Sequence, residues 1–224
     1  MDKVYDKIKQ EIIANRLHPG EPLLEERLAE SIRASRTPIR EALRRLNHEG
    51  LVRIVPNKGA FVRVVTPRDI REIYEVREAL EGFAAGQAAT RLSRPEVQSL
   101  LAVAKRLQGR RSQLGYKDLR DAWESLRQMV LAAMNNDRVK SILTTMNGQI
   151  EIARHYASAP PGRIEEILSD FLAVVQALHD RDGSQASRLY RRHLDKSKKV
   201  LLKVFAYTEE SEENPTERAF SASG

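Results

Sequence analysis

Strand-like texture occurs at one place in this chain. Between Leu51 and Val65, two β-branched runs, "LVRIV" and "AFVRVV", flank "PNKG", a pattern that predicts a β-hairpin. An isolated hairpin is at best marginally stable in water, so it must lean on something else. The segments before it, and those after it as far as Tyr207, have helical spacing instead. The fold is therefore expected to be mainly α, with one hairpin leaning on an N-terminal helical cluster.

That cluster reads as three helices. Val4, Tyr5, Ile8, Ile12 and Ile13 predict a helix over 2–15, which "HPGEPL" breaks through Pro19, Gly20 and Pro22. Leu24, Leu28, Ala29 and Ile32 mark a short second helix. Ser35 stands where an N-cap is needed, its hydroxyl expected to accept a free backbone N–H. Pro38 falls in the first turn, where its missing donor costs little. Ile39, Ala42, Leu43 and Leu46 form the buried stripe of the third helix, and Gly50 ends it. Three helices followed by a hairpin outline a winged helix-turn-helix, whose last helix enters a DNA major groove.

Charge is concentrated where that reading needs it. From Arg33 to Arg63 eight basic residues stand against Glu41 and Glu49, while the preceding "EPLLEERLAE" is acidic. Arg36, Thr37, Arg40 and Glu41 face away from the apolar stripe, Arg44 continues that face, and Arg45 is rotated off it. Arginine bridges two acceptors on a guanine edge or clamps a phosphate. Lys58-Gly59 at the hairpin tip suits close approach to the DNA backbone or minor groove. A solvated arginine stripe is the blander alternative, and the turn, the local charge and the hairpin weigh against it. The candidate DNA contacts are Ser35, Arg36, Thr37, Arg40, Arg44, Lys58 and Gly59.

The rest of the composition narrows the class. A net charge of +7 over 224 residues favours a polyanionic partner. The absence of cysteine excludes disulfides, thiolate zinc sites and cysteine nucleophiles. The longest apolar run, Met129 to Met134, is far short of the ~20 residues of a membrane span. "MDKVYDKIKQ" lacks the apolar core of a signal peptide, so a cytoplasmic protein is expected, without membrane association. No Gly-rich phosphate loop, His-Glu-x-x-His or Gly-x-Ser-x-Gly is present, which disfavours an enzyme carrying a helix-turn-helix. A sequence-nonspecific architectural DNA binder is the other alternative.

From Thr66 onward the pattern predicts six helices, over 67–93, 95–110, 116–135, 137–158, 163–180 and 183–207, with breaks at "APPG" (159–162) and "DRDG" (180–183). The segment 208–224 has five Glu and few large apolar residues and is expected to be disordered. The expected organisation is a DNA-binding domain over 1–66 and a six-helix domain over 67–207.

The N-terminal stretch resembles the GntR family of bacterial transcription regulators. The likeness is carried by Pro19-Gly20, Leu24-x-Glu26, Leu28-Ala29, Ser35-Arg36-Thr37-Pro38, Arg40-Glu41-Ala42-Leu43, Leu46, Glu49-Gly50-Leu51 and Gly59-Ala60-Phe61-Val62. It implies that Arg36, Thr37 and Arg40 contact operator bases or phosphates and that the wing at Lys58-Gly59 reaches the minor groove. The helical part resembles the FCD-type ligand-binding domain of the FadR subfamily, through Val76-Arg77, Leu80-Glu81, "MNND", "PPGRIEEIL" and "ALHDRDGSQASRLYRRHL". Six helices point to its VanR-like group.

That subfamily often holds a divalent metal on an Asp and three His. Here the matching positions are Trp123, Arg127, Phe171 and His193, so one possible ligand remains. A lone histidine makes no metal site, and no metal or other cofactor is expected; Asp121 and His155 would substitute only if the register slipped. A buried Arg127 needs an anionic partner. The resemblance suggests an organic acid there, with Arg77 as a second contact and Trp123 and Phe171 as apolar walls; a bundle glutamate is the alternative. His193 is expected as a core histidine before a ligand. The resemblance further implies a homodimer on a palindromic double-stranded operator, residues 72–81 contributing to the dimer contact. It also implies repression relieved by a small carboxylate.

Overall fold

The computed structural model describes residues 2–155 and 162–211. The order is α1 (Asp2–Ile13), α2 (Glu25–Ile32), α3 (Arg36–His48), β1 (Val52–Val55) and β2 (Gly59–Val62). It continues with α4 (Pro67–Arg91), α5 (Arg94–Gly109), a 3-10 turn (Arg111–Gln113), α6 (Tyr116–Met134), α7 (Asp137–His155), α8 (Arg163–His179) and α9 (Gly183–Ser211). The expected class, a winged helix-turn-helix followed by helices, is the observed one.

By packing, the described chain divides into two compact units. Residues 2–71, 142–155 and 199–211 form the first; residues 72–141 and 162–198 form the second. Helix α7 therefore begins in the second unit and ends in the first.

In the first unit Ile8, Ile39, Leu43, Leu46 and Leu51 make the core under α1 to α3. Helix α1 stops at Ile13, two residues early, because Asn15 takes a left-handed φ of 56°. The turn between α2 and α3 is made by Arg33, also left-handed at φ 60°. Gly50, at φ 75°, closes α3: its N–H donates to Asn47 and that of Leu51 to Leu46 (3.0 Å), a pairing that satisfies two free carbonyls. Ser35 does occupy the N-cap position, but its hydroxyl makes no capping hydrogen bond, which corrects the expected role.

The hairpin pairs Val52 with Val62 and Val55 with Gly59. Pro56-Asn57 form its turn, with Asn57 at φ 61° and the Lys58 N–H donating to Val55. "HPGEPL" is more than a break. The Val62 N–H donates to Glu21 O (2.9 Å) and the Leu23 N–H to Ala60 O (2.7 Å), with a bridge from Pro22 to Phe61. This gives β2 a second neighbour and ties the wing to the helices. Within the same unit, Gly148 of α7 donates its N–H to Glu49 O at 3.0 Å. A Cβ on Gly148 would lie 2.5 Å from that oxygen and collide with Leu51, so only glycine permits the approach.

In the second unit α8 packs on α5 and α6, burying Leu100, Leu119, Leu126, Phe171, Val174 and Leu178. Ser93 caps α5 in a reciprocal box with Glu96. Gly86 and Gly183 allow α4 and α9 to approach: a Cβ on Gly183 would sit 2.6 Å from Gly86 O. Helix α9 runs to Ser211, past the expected end at 207. The rest of the expected disordered segment, and most of "APPG", lie outside the described residues.

Candidate functional site

Two groups of candidate side chains emerge, one in each unit. On the first, Ser35, Arg36, Thr37, Arg40 and Arg44 are all exposed along α3, opposite buried Ile39, Leu43 and Leu46. Lys58 and Gly59 are exposed at the wing tip. Gly59 has φ 98° and open space around it, so its backbone conformation is what requires glycine there.

The arginines of α3 are not bare. Arg40 Nε donates to both oxygens of Glu25, at 2.9 and 2.7 Å, and Arg36 Nη2 donates to Glu26 Oε1 at 2.7 Å. Both pairs cross from α2 to α3, and both arginine side chains keep about 60% of their exposure. Behind them, Glu49 at the end of α3 accepts from Tyr5 Oη (2.5 Å) and Lys9 Nζ (3.2 Å), locking α1 against the recognition helix. Arg45, turned off the face that carries Arg36 and Arg40, lies over the Tyr5 ring at 3.8 Å.

In the second unit, all five residues singled out for an effector are buried. The Trp123 indole stacks face to face on His193, with centroids 3.6 Å apart, and meets Phe171 and Tyr190 edge-on at 5.6 and 5.5 Å. Arg77 Nε donates to Glu81 Oε1 (2.7 Å), and Tyr190 Oη donates to Glu81 Oε2 (3.1 Å). Burial alone would favour neutral Arg77, but the adjacent Glu81 charge outweighs it and holds the guanidinium above the ordinary arginine value. Burial, then Glu81, push the Tyr190 phenol well above its ordinary value. Arg127 donates to Glu124 at 2.9 and 2.7 Å, so its anionic partner is a glutamate three residues back on α6. Glu81, Tyr190 and Tyr74 are among the interior polar groups that sequence reasoning did not single out for the site.

One further observation marks this interior. Arg77 Nη1 and Tyr74 Oη are buried with no hydrogen-bond partner among the described residues. The Arg77 guanidinium lies 4.9 Å from the Tyr74 ring centroid, so the two groups are neighbours.

The residues at the subfamily's metal positions do not fit a metal. Indole, guanidinium and phenyl offer no lone pair suited to a divalent ion, and the indole covers the face of His193. His193 Nδ1 faces Asp170 Oδ2 at 3.7 Å. Asp170 is buried and also accepts from Lys196 at 3.0 Å. Asp121, the possible substitute, pairs with Arg120 at 3.6 Å on the surface, and the His155 side chain lies outside the described residues. Among the described residues no helix is long and apolar enough to cross a membrane.

Comparison with known proteins gives this geometry its context. Residues 1–62 match the gntR family of bacterial regulatory proteins, and residues 72–196 match the FCD domain. The HTH-type transcriptional repressor RspR of Escherichia coli K12 is 26% identical over 199 residues, covering 86% of this chain and 84% of that protein. An uncharacterized HTH-type regulator from the TAR-I ttuE-ttuC' intergenic region of Agrobacterium vitis is 46% identical over 85 residues. That match covers 38% of this chain and half of the relative. Among solved structures, E. coli McbR/YncC superposes with a TM-score of 0.74 at 21% identity, covering 90% of this chain and 96% of that one. A putative GntR regulator from Rhodococcus sp. RHA1 gives 0.70 at 21%, covering 90% and 97%. Both share the fold. The chain belongs to the GntR family of DNA-binding transcription regulators and carries an FCD domain behind its winged helix-turn-helix.

Proposed function

We propose that this regulator is a cytoplasmic repressor that acts as a homodimer on a palindromic operator and responds to a small carboxylate. The observation that carries the DNA contacts is the run of exposed groups along α3, Ser35, Arg36, Thr37, Arg40 and Arg44, with Lys58 and Gly59 at the wing. A two-fold dimer presents two such helices to half-sites one helical turn apart. The test is a gel shift on the duplex that the wild-type protein enriches from a random library. Arg36→Ala and Arg40→Ala should each weaken binding about 10- to 100-fold, the range for one lost bidentate base contact. Unchanged binding by both would remove α3 as the reading helix. A repressor makes no demand for catalytic residues, and we assign none.

The effector reading rests on Arg77 Nη1 and Tyr74 Oη, buried donors that an anionic oxygen would satisfy. Arg127, Trp123, Phe171 and His193 then form the walls. No metal enters this reading: Arg77 supplies the positive charge directly. A carboxylate shifts the DNA-binding equilibrium only if it binds one dimer state better than the other. Thermal-shift screening of small mono- and dicarboxylates tests this reading. A stabilising acid should lose its effect in Arg77→Met, and an equal shift in that variant excludes the site.

A further inference from the structure

We propose that Glu25 and Glu26 of α2 are specificity-determining residues, which hold Arg40 and Arg36 for base reading and suppress their attachment to arbitrary DNA. This rests on the reading of those arginines as DNA contacts.

The ion pairs have little to do for the fold. Both arginines are largely exposed, Glu26 is exposed and Glu25 is half-buried, so the pairs are open to water and contribute little to stability. Nor do the acids cap α2, whose N-cap position is Leu24, without a side-chain bond. Yet among the described residues these are the two acids that pair with Arg36 and Arg40 at the start of α3. They reach them across the turn, from 15 and 10 residues away in sequence.

The atoms used point to a role in orientation. Arg40 gives only its Nε–H to Glu25, so both Nη groups remain to span the two acceptors of a guanine edge. Glu25 thus fixes the plane of the guanidinium and leaves its reading end unspent. An unrestrained arginine carries rotamer entropy, which a held one does not lose again on binding. Arg36 spends Nη2 on Glu26, so a phosphate must compete with a carboxylate for that group. Two carboxylates beside the DNA face also repel the sugar-phosphate backbone wherever no base contact compensates. On random sequence the acids are a pure penalty. On the operator they are offset by the contacts they orient.

The test compares the enriched duplex with a mixed-sequence duplex of equal length, using the 224-residue chain. Glu25→Gln and Glu26→Gln keep side-chain shape and remove charge. Each should bind mixed-sequence DNA about 3- to 10-fold more tightly and steepen its salt dependence by about one ion. Their operator-to-random ratio should fall by at least the same factor, with the melting temperature unchanged. A ratio equal to wild type overturns the proposal, as does a parallel fall in both affinities. If a glutamine variant does not fold, Glu25→Asp keeps the charge but shortens its reach. A relaxed sequence preference in renewed enrichment then supports orientation, and an unrelaxed one overturns it. Failure of the underlying reading looks different, because Arg36→Ala and Arg40→Ala would then leave DNA binding intact.

Discussion

Arg36 and Arg40 in the first unit and Arg77 and Arg127 in the second all end on a glutamate, but the two settings give those pairs opposite meanings. The α3 arginines are about 60% exposed as side chains, and their pairs exchange with water, salt or phosphate at little cost. The side chains of Arg77 and Arg127 retain 6% and 8%. Their charges were taken out of water, and each persists only because a carboxylate stays beside it. A regulator needs both kinds. The proposed DNA face needs guanidinium groups open to new partners, whereas the buried guanidinium groups of the interior need a carboxylate that stays. The contrast teaches that an arginine-glutamate distance near 2.7 Å says little about energy until burial is known.

The largest expected effect is therefore at Glu81, which is 1% exposed and accepts from Arg77 and Tyr190. Glu81→Ala should cost about 3–5 kcal/mol in urea unfolding, because it leaves a buried guanidinium uncompensated. Replacing the pair together, Arg77→Met with Glu81→Leu, should recover most of that loss. A single-variant cost below ~1 kcal/mol, the range of an exposed pair, would erase the distinction between the two regions.

Much of this was legible in the sequence, for reasons that separate local from nonlocal physics. The hairpin, the Gly50 stop and the apolar stripe of α3 depend on spacing and backbone preference, which a sequence carries directly. The Arg77–Glu81 and Glu124–Arg127 pairs also sit at helical spacings of four and three, so the signal for the interior partners was present. By contrast, the pairs from α2 to α3 depend on the angle of the turn at Arg33, and nothing in "LEERLAE" announces which arginine each acid meets. The same holds for Pro22 against Phe61 and Gly148 against Glu49, where residues distant in sequence meet only after the core forms. Trp123 stacked on His193 was likewise invisible: the sequence placed both in one interior but could not give a face-to-face geometry.

An intermediate effect belongs to Asp170, buried yet linked to partly exposed Lys196 and Arg192 on α9. Burial would raise its pKa, but the neighbouring His193 ring and the hydrogen bonds from Lys196 outweigh this and hold the carboxyl below its ordinary value of 3.8. Its folded pKa is depressed, so its stabilisation is present above the unfolded value and lost as pH falls through the folded one. Asp170→Asn should cost about 1–2 kcal/mol at neutral pH. It should also flatten the loss of stability below about pH 4. An acid limb identical to wild type would mean that Asp170 titrates alike folded and unfolded.

The smallest change in stability should come from the residues proposed to have the largest effect on DNA binding. Arg36→Ala and Arg40→Ala each remove one exposed ion pair, so unfolding free energy should move by no more than ~1 kcal/mol. The partner left behind, Glu26 at 70% or Glu25 at 33% side-chain exposure, still reaches water and carries a far smaller burial penalty than Glu81, at 1%, when Arg77 is removed. This asymmetry makes the comparison sharp, because the chemistry of the deletion is the same in both regions. Urea melts of Arg40→Ala and Arg77→Ala, run side by side, should differ by about 2–4 kcal/mol. If Arg40→Ala proved as costly as Arg77→Ala, the Glu25 pair would be structural. Glu25 would then serve to hold the fold, not to orient Arg40 for reading sequence.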